Sequence, residues 1–375
     1  MSEAFHGGLI PAPSTGGCWP TPDQTLLLRA CALEVPRAAE AWAAWRSGHS
    51  LEDADHVAIS LFPPIYRRLG ALLGAVDENA LKGAYRSAWL RNQVLLKGAG
   101  DALETLHRAG IRTLLLKGAG LAVASYRDTG ARPMEDVDIL VPRADADRAL
   151  TALVAAGWLT EPRRLRSEHA QAVYDGAGHV LDLHWFSLAQ SGSDDGFWER
   201  SVEIEMHGMK TRALCPADQL LHVAAHGGEW GLIPPVRWMA DAAAIDRSGS
   251  LDWEVFVAEA IARRMTVLLA AALEQLVGAV DLPVPTGVFA LLDEAPKGRL
   301  ERRVHRTSTQ QNGGGEWWLV ELERFRRRAR LDPTLRLSDF LKDHFGVATR
   351  RELIAPVARK SGSVAWLQAR RLVRR

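Results

Sequence analysis

Three carboxylates and one lysine carry most of the chemistry this sequence could perform. Asp136 and Asp138 lie in the run Asp136-Val137-Asp138-Ile139-Leu140-Val141, where acids alternate with apolar residues and then give way to them. That alternation predicts a strand with Asp136 and Asp138 on one face, while Val137 and Ile139 enter the core. Two carboxylates held side by side repel each other unless positive charge lies between them, and a divalent cation usually supplies it. Oxygen-only donors suit Mg²⁺ or Mn²⁺ better than zinc. Upstream, Leu114-Leu115-Leu116 breaks on Lys117-Gly118-Ala119-Gly120. A turn there would offer backbone N–H groups and an ammonium to an anion. It is not a Walker A loop, because the lysine precedes the glycines and no Ser or Thr follows it. These residues predict a metal-dependent, phosphate-handling site.

The third carboxylate is Asp182, in Val180-Leu181-Asp182-Leu183-His184-Trp185. On a strand it shares a face with His184, opposite Leu181, Leu183 and Trp185. The string LLKGAG occurs twice, at 95–100 and at 115–120. The first copy lies within a long helical pattern and reads as a chance repeat. The second sits between a β-like run and the acidic strand, the context a phosphate turn needs.

The elements that would position these residues are legible from periodicity. Residues 1–20 are rich in Gly and Pro and predict a mobile leader. Residues 21–110 carry helical spacing, and 111–215 read as an α/β core. Within that core, Asp145 is a candidate cap for a helix that Gly157 ends. Asp175-Gly176-Ala177-Gly178 joins two strands as a hairpin, and 202–206 with 210–214 form another pair. Helical spacing resumes over 216–312, and 313–375 form a basic segment opening on Gly313-Gly314-Gly315. From Arg299 to Arg375, 19 Lys and Arg face 8 Asp and Glu, an excess of 11. That segment reads equally as an RNA-, phosphate- or membrane-surface-binding element and as a solvated helix face.

Composition narrows the class. The chain has 375 residues, 47% of them hydrophobic and 24% charged, with a formal net charge of +1, as in ordinary globular proteins. Cys18, Cys31 and Cys215 are too scattered for a disulfide framework or a zinc ribbon. No secretory signal is evident, and the apolar stretch from Val267 to Val280 is too short to span a bilayer. A cytoplasmic protein without membrane insertion is expected.

Taken together, Leu116-Lys117-Gly118, Arg132 through Val141, and Asp182-Leu183-His184-Trp185 resemble the nucleotidyltransferase superfamily with the polymerase-β-like fold. Within it the chain looks most like the bacterial group of uncharacterised nucleotidyltransferases. Leu214 through His222 extends the match, and the resemblance spans roughly residues 30 to 290. It implies an α+β fold: a small mixed-sheet core flanked by N-terminal helices and a C-terminal helical domain. It also implies transfer of a nucleoside monophosphate from a nucleoside triphosphate (NTP) to a hydroxyl or phosphate acceptor, with release of pyrophosphate. Asp136, Asp138 and Asp182 would be catalytic and hold Mg²⁺ or Mn²⁺. Lys117, Gly118, Ala119 and Arg132 would bind the nucleotide. The acceptor could be a peptide, a small molecule or RNA. Two departures stand out: Gly118-Ala119 replaces the usual Gly-Ser or Gly-Gly, and 16 residues separate Ala119 from Asp136, a longer spacer than usual.

Other readings compete. The same fold could be a catalytically silent module that binds nucleotide or a partner, or a toxin-like enzyme acting on tRNA. His222 and His226, one helical turn apart with Glu229 beyond them, could seat zinc, although packing histidines are the commoner outcome. The 13 tryptophans are scattered and read as core and packing residues.

Overall fold

Thr21 and Gln24 cap each other's backbone and Pro22 occupies the first turn, so α1 forms over Pro22–Ala32. The computed structural model describes residues 19–161, 168–189, 193–228, 236–249, 251–309 and 317–358. Most of the expected leader, the Gly313–Gly315 break and the last arginines lie outside these residues. After α1 come α2 (Val35–Gly48) and α3 (His56–Leu69), the latter capped by Asp55, whose carboxylate accepts the Ala58 N–H at 2.8 Å. The helix α4 then runs 34 residues, Ala75–Arg108. The first LLKGAG lies inside α4, as its context predicts. Its Gly98 has a packing reason of its own: a Cβ there would stand 2.7 Å from the His179 ring.

Seven strands make one mixed sheet: β1 (Leu114–Leu115), β2 (Val137–Leu140), β3 (Leu159–Thr160), β4 (Ala170–Tyr174), β5 (Val180–His184), β6 (Val202–Met206) and β7 (Met209–Ala213). Their order is β3-β4-β5-β2-β1-β7-β6. β2 runs antiparallel to β1 and parallel to β5, with Asp138 opposite Asp182 and Leu140 opposite His184. The two expected hairpins are β4–β5, turning at Gly178 (φ +85°), and β6–β7, turning at Gly208 (φ +76°).

Two helical elements differ in detail from expectation. Lys117-Gly118-Ala119-Gly120 is not a free turn; it is the start of α5 (Lys117–Leu121), which continues as a π-helical turn over Ala122–Tyr126. α6 (Ala146–Ala155) does end at Gly157 in a left-handed conformation (φ +96°). Asp145, however, does not cap it through its side chain, because a 3₁₀ turn over Arg143–Asp145 leads in and its carboxylate pairs with Arg148.

The sheet separates two hydrophobic cores. One face carries Leu115, Val137, Ile139, Leu181 and Leu183 against Leu96, Leu103 and Leu106 of α4 and Leu153 of α6. Beyond the short α7 (Asp195–Arg200) come α8 (Pro216–Gly227), α9 (Arg237–Ser248), α10 (Trp253–Ala262), α11 (Thr266–Val280) and α12 (Thr286–Glu294). These pack on the other face, beside Leu114, Leu116, Leu140 and Leu214. They share that core with α1, α2 and α3, and Arg29 reaches from α1 to the carbonyls of Gly278 and Ala279. Asp138, Asp182 and His184 alternate with the residues of the first core, which places them on this second face. Three further helices follow: α13 (Arg299–Ser308), α14 (Trp317–Leu331) and α15 (Leu337–Phe345). Among the described residues no helix is long and apolar enough to cross a membrane.

Candidate functional site

Parallel pairing of β2 with β5 brings the acids together. Asp138 and Asp182 are register partners, and Asp138, Asp182 and His184 each place a donor atom within 4.8 Å of the others. Asp138 is only 1% exposed. Its Oδ1 accepts from Lys117 Nζ at 2.7 Å and from His184 Nε2 at 2.8 Å. Burial alone would raise this carboxyl, but the bonds and charges of His184 and Lys117 outweigh it and hold Asp138 well below the usual carboxylate range.

Its neighbours move the other way. Burial first, and then repulsion by Asp138 and Asp182, raises Asp136, which lies just ahead of β2. Burial and Asp138 raise Asp182 in the same manner. The cluster therefore carries more negative charge than Lys117 and His184 balance. Its donor chemistry fits a hard divalent cation, which would reverse that repulsion. His184 Nε2 donates to Asp138, so the oxygens of Asp138 and Asp182 are the donors this group leaves for an ion; Asp136 is not part of the group, although its carboxyl feels both of the other acids.

Lys117 belongs both to this cluster and to a cleft. Its backbone has φ +34°, and its ammonium reaches inward to Asp138. The same side chain lines a cleft of about 300 Å³ together with His56, Ser60, Arg132, Glu135, His222, His226 and Arg237. The glycines after Lys117 are demanded by close approach. A Cβ on Gly118 would stand 2.8 Å from Arg132 Nη1, and one on Gly120 would stand 2.7 Å from the Leu115 carbonyl oxygen. A second cavity, about 360 Å³, lies among Met265, Glu301 and Arg327 and contains none of the acids.

Arg132 lines the cleft but is largely committed elsewhere. Its Nε and Nη2 donate to Asp241 of α9 at 2.9 and 3.0 Å, and both residues are buried. Burial would lower its pKa, yet Asp241 more than compensates and the net shift is upward. Tyr126 Oη donates to the same carboxylate at 3.0 Å.

The long spacer before Asp136 is absorbed by the π-helical turn and by a loop fastened to α4. Asn92, fully buried, donates to the carbonyls of Thr129 and Arg132 and accepts the Met134 N–H. Asp128 accepts from Tyr85 and Arg67. Sequence reasoning missed Asn92, although a signal was present: a polar residue stands on the buried stripe between Ala88 and Leu96.

The Leu214–His222 stretch proves to be a clasp around α8. Asp218 accepts two bonds from Arg200, Gln219 bonds Ser125 and the Leu214 carbonyl, and His222 Nε2 donates to the Ser187 carbonyl at 2.9 Å. Burial and the Lys117 charge lower His222 to about 3. Among the described residues no group of three metal-type ligands includes His222 or His226, and Glu229 lies outside the described residues.

The basic C-terminal segment is not one solvated face. On α14, Arg326 and Arg330 are exposed, Arg324 and Arg327 pair with Glu321 and Glu323, and Arg328 is buried.

Comparison with known proteins adds a family. A family model described as "Uncharacterised nucleotidyltransferase" matches residues 58–277. No curated protein matches. Among solved structures, the solution structure of the antibiotic-resistance factor ANT(2'')-Ia is similar, with 12% identity and a TM-score of 0.33. The similarity covers 50% of this chain and 95% of that one.

Proposed function

The chain belongs to the family of uncharacterised nucleotidyltransferases, and from that membership we propose that it moves a nucleoside monophosphate from an NTP to a hydroxyl acceptor in a divalent-metal-dependent reaction. The observation that carries this reading is the in-register pairing of Asp138 with Asp182, beside Asp136 and at the end of the Lys117 cleft. Asp136, Asp138 and Asp182 would hold Mg²⁺ or Mn²⁺. An ion bound there supplies positive charge for the triphosphate and the departing pyrophosphate.

The residues of the chain divide the remaining roles. Lys117 spans Asp138 and the cleft, so its ammonium can hold a phosphate oxygen while keeping Asp138 ionised. The Nη1 of Arg132, over Gly118, adds positive charge at the first turn of α5. Asp182, whose carboxyl is raised by burial and by Asp138, orients the acceptor hydroxyl and takes its proton. The acceptor oxygen then bonds to the α-phosphorus, the bond to the β-phosphate oxygen breaks, and pyrophosphate leaves. Positioning and electrostatics supply most of the catalysis in such transfers.

Binding and turnover measured together test the proposal. Mg²⁺ or Mn²⁺ is expected to raise the melting temperature only when NTP is present, because acids alone bind Mg²⁺ weakly. Lys117→Ala should weaken binding of a non-hydrolysable triphosphate by about 1.5–3 kcal/mol, the scale of a charge-assisted hydrogen bond. Asp182→Ala should leave that affinity nearly intact and lose about 10²–10⁴-fold in transfer, the range for a general base. An unchanged thermal shift in the Asp136→Asn/Asp138→Asn double variant would overturn the metal site.

A further inference from the structure

From the acids toward β4, the opposite direction along the sheet from β1 and Lys117, a chain of contacts leads to a buried cation. The His169 ring packs edge-on against the His184 ring, with centroids 5.3 Å apart. The carbonyl of His169 accepts from Trp185 N and Phe186 N. The guanidinium of Arg328 lies over the Phe186 ring at 3.5 Å, and its Nη2 donates to the Ala189 carbonyl at 3.2 Å. Arg328 is 2% exposed, yet among the described residues its Nε and Nη1 have no hydrogen-bond partner. One turn earlier on α14, Arg324 uses Nη1 on Glu321, and its buried Nε has no partner among the described residues. Asp194 and Glu168 favour the Arg328 charge through space, and Asp194 is already engaged by Ser187 and Arg263.

A buried charge with unpaired donors is costly, and natural folds seldom retain one unless something pairs with it. Burial and Arg324 lower the Arg328 pKa to about 9, which leaves it cationic at neutral pH. A stacked guanidinium with free N–H groups matches the planar oxygens of a carboxylate or the face of a phosphate.

We propose that Arg328 and Arg324 form an oxyanion-binding subsite on the His169 side of the acid cluster, which receives a phosphate or carboxylate group of the acceptor. The assignment to the acceptor rests on the nucleotidyl-transfer reading, because Lys117, the proposed phosphate contact, follows β1 on the other flank of the paired acids. The oxyanion chemistry itself does not depend on that reading.

Isothermal titration of inorganic phosphate into the metal-free full chain, with acetate as a parallel arm, measures the subsite without turnover. The wild type is expected to bind at least one of the two. Binding of phosphate marks a phosphorylated acceptor and binding of acetate a carboxylate, and either supports the subsite. Arg328→Met should weaken that binding about ten- to a hundredfold, the loss of one charge-assisted bond. It should also melt no lower than the wild type in anion-free buffer, since an unpaired buried charge has gone. Arg324→Gln should weaken the same anion, and it decides the matter should Arg328→Met fail to fold. Wild-type protein that binds neither anion, or folded variants that bind as tightly as wild type, overturn the proposal. Asp182→Asn, which abolishes transfer, must not weaken the anion, so loss of the subsite and loss of the transferase reading give different results.

Discussion

Asp138 has an ammonium and an imidazole on one carboxylate oxygen, whereas Asp136 and Asp182 share its surroundings without such partners among the described residues. These environments give opposite pH dependences. Asp138 titrates lower in the fold than in the unfolded chain, so its contribution is present above the ordinary carboxylate pKa of 3.8 and is lost on acidification. Asp136 and Asp182 titrate higher in the fold. Their penalty is absent below 3.8, sets in as the pH rises toward their folded values, and persists at neutral pH. In the presence of a chelator, Asp182→Asn should therefore be more stable than wild type at pH 7 and indistinguishable from it near pH 3. Urea denaturation at both pH values checks this. A variant less stable than wild type at pH 7 would mean that Asp182 is held by favourable contacts rather than strained by repulsion. Stability given up at a cluster of like charges is what a site built to receive a cation would show.

At the scale of elements, the two LLKGAG strings show why identical residues take different structures. The copy at 95–100 continues a helix whose buried stripe was already set by Leu81, Ala88 and Asn92. The copy at 115–120 begins inside β1, with Leu115 paired to Ile139 of β2, and its helix starts only at Lys117. Strand context was legible in the sequence. The helix that begins on the glycines was not, because glycine is a poor helix former and signals a turn more often. Close approach explains the choice, and it ranks three substitutions. Gly120→Ala drives a Cβ into the fixed Leu115 carbonyl and should cost about 1–3 kcal/mol, the usual overpacking range. Gly98→Ala meets only the His179 side chain, and the gain in helix propensity, about 1 kcal/mol, should offset much of the displacement. Gly118→Ala displaces Arg132 and Met134, so it should disturb nucleotide affinity more than its melting temperature suggests. Thermal melting of the three variants tests the order. Gly98→Ala melting below Gly120→Ala would refute the close-approach account.

The whole molecule shows where reading by pattern ends. Helical periodicity located many of the helices, but it cannot say which faces meet, since any apolar stripe can pack on any other. So the N-terminal and C-terminal helices looked like separate flanks, whereas α1, α2 and α3 share one core with α8 through α12. The same limit hid the partner of Arg132. Asp241 lies 109 residues away in a helix rich in alanine, and no local pattern couples the two. Their buried pair, joined by Tyr126, ties the loop ahead of Asp136 to α9, and both partners line the cleft. Removing one member of such a pair leaves a buried charge uncompensated and typically costs about 3–5 kcal/mol. Asp241→Ala should therefore be strongly destabilised. Arg132→Met/Asp241→Leu, which removes both charges, should recover much of that stability while still weakening triphosphate binding, because Arg132 Nη1 is lost from the cleft. Denaturation curves and nucleotide titration of the single and double variants separate the two effects. If the double variant recovers both stability and affinity, Arg132 only braces the fold, and of the proposed phosphate contacts in the cleft Lys117 remains.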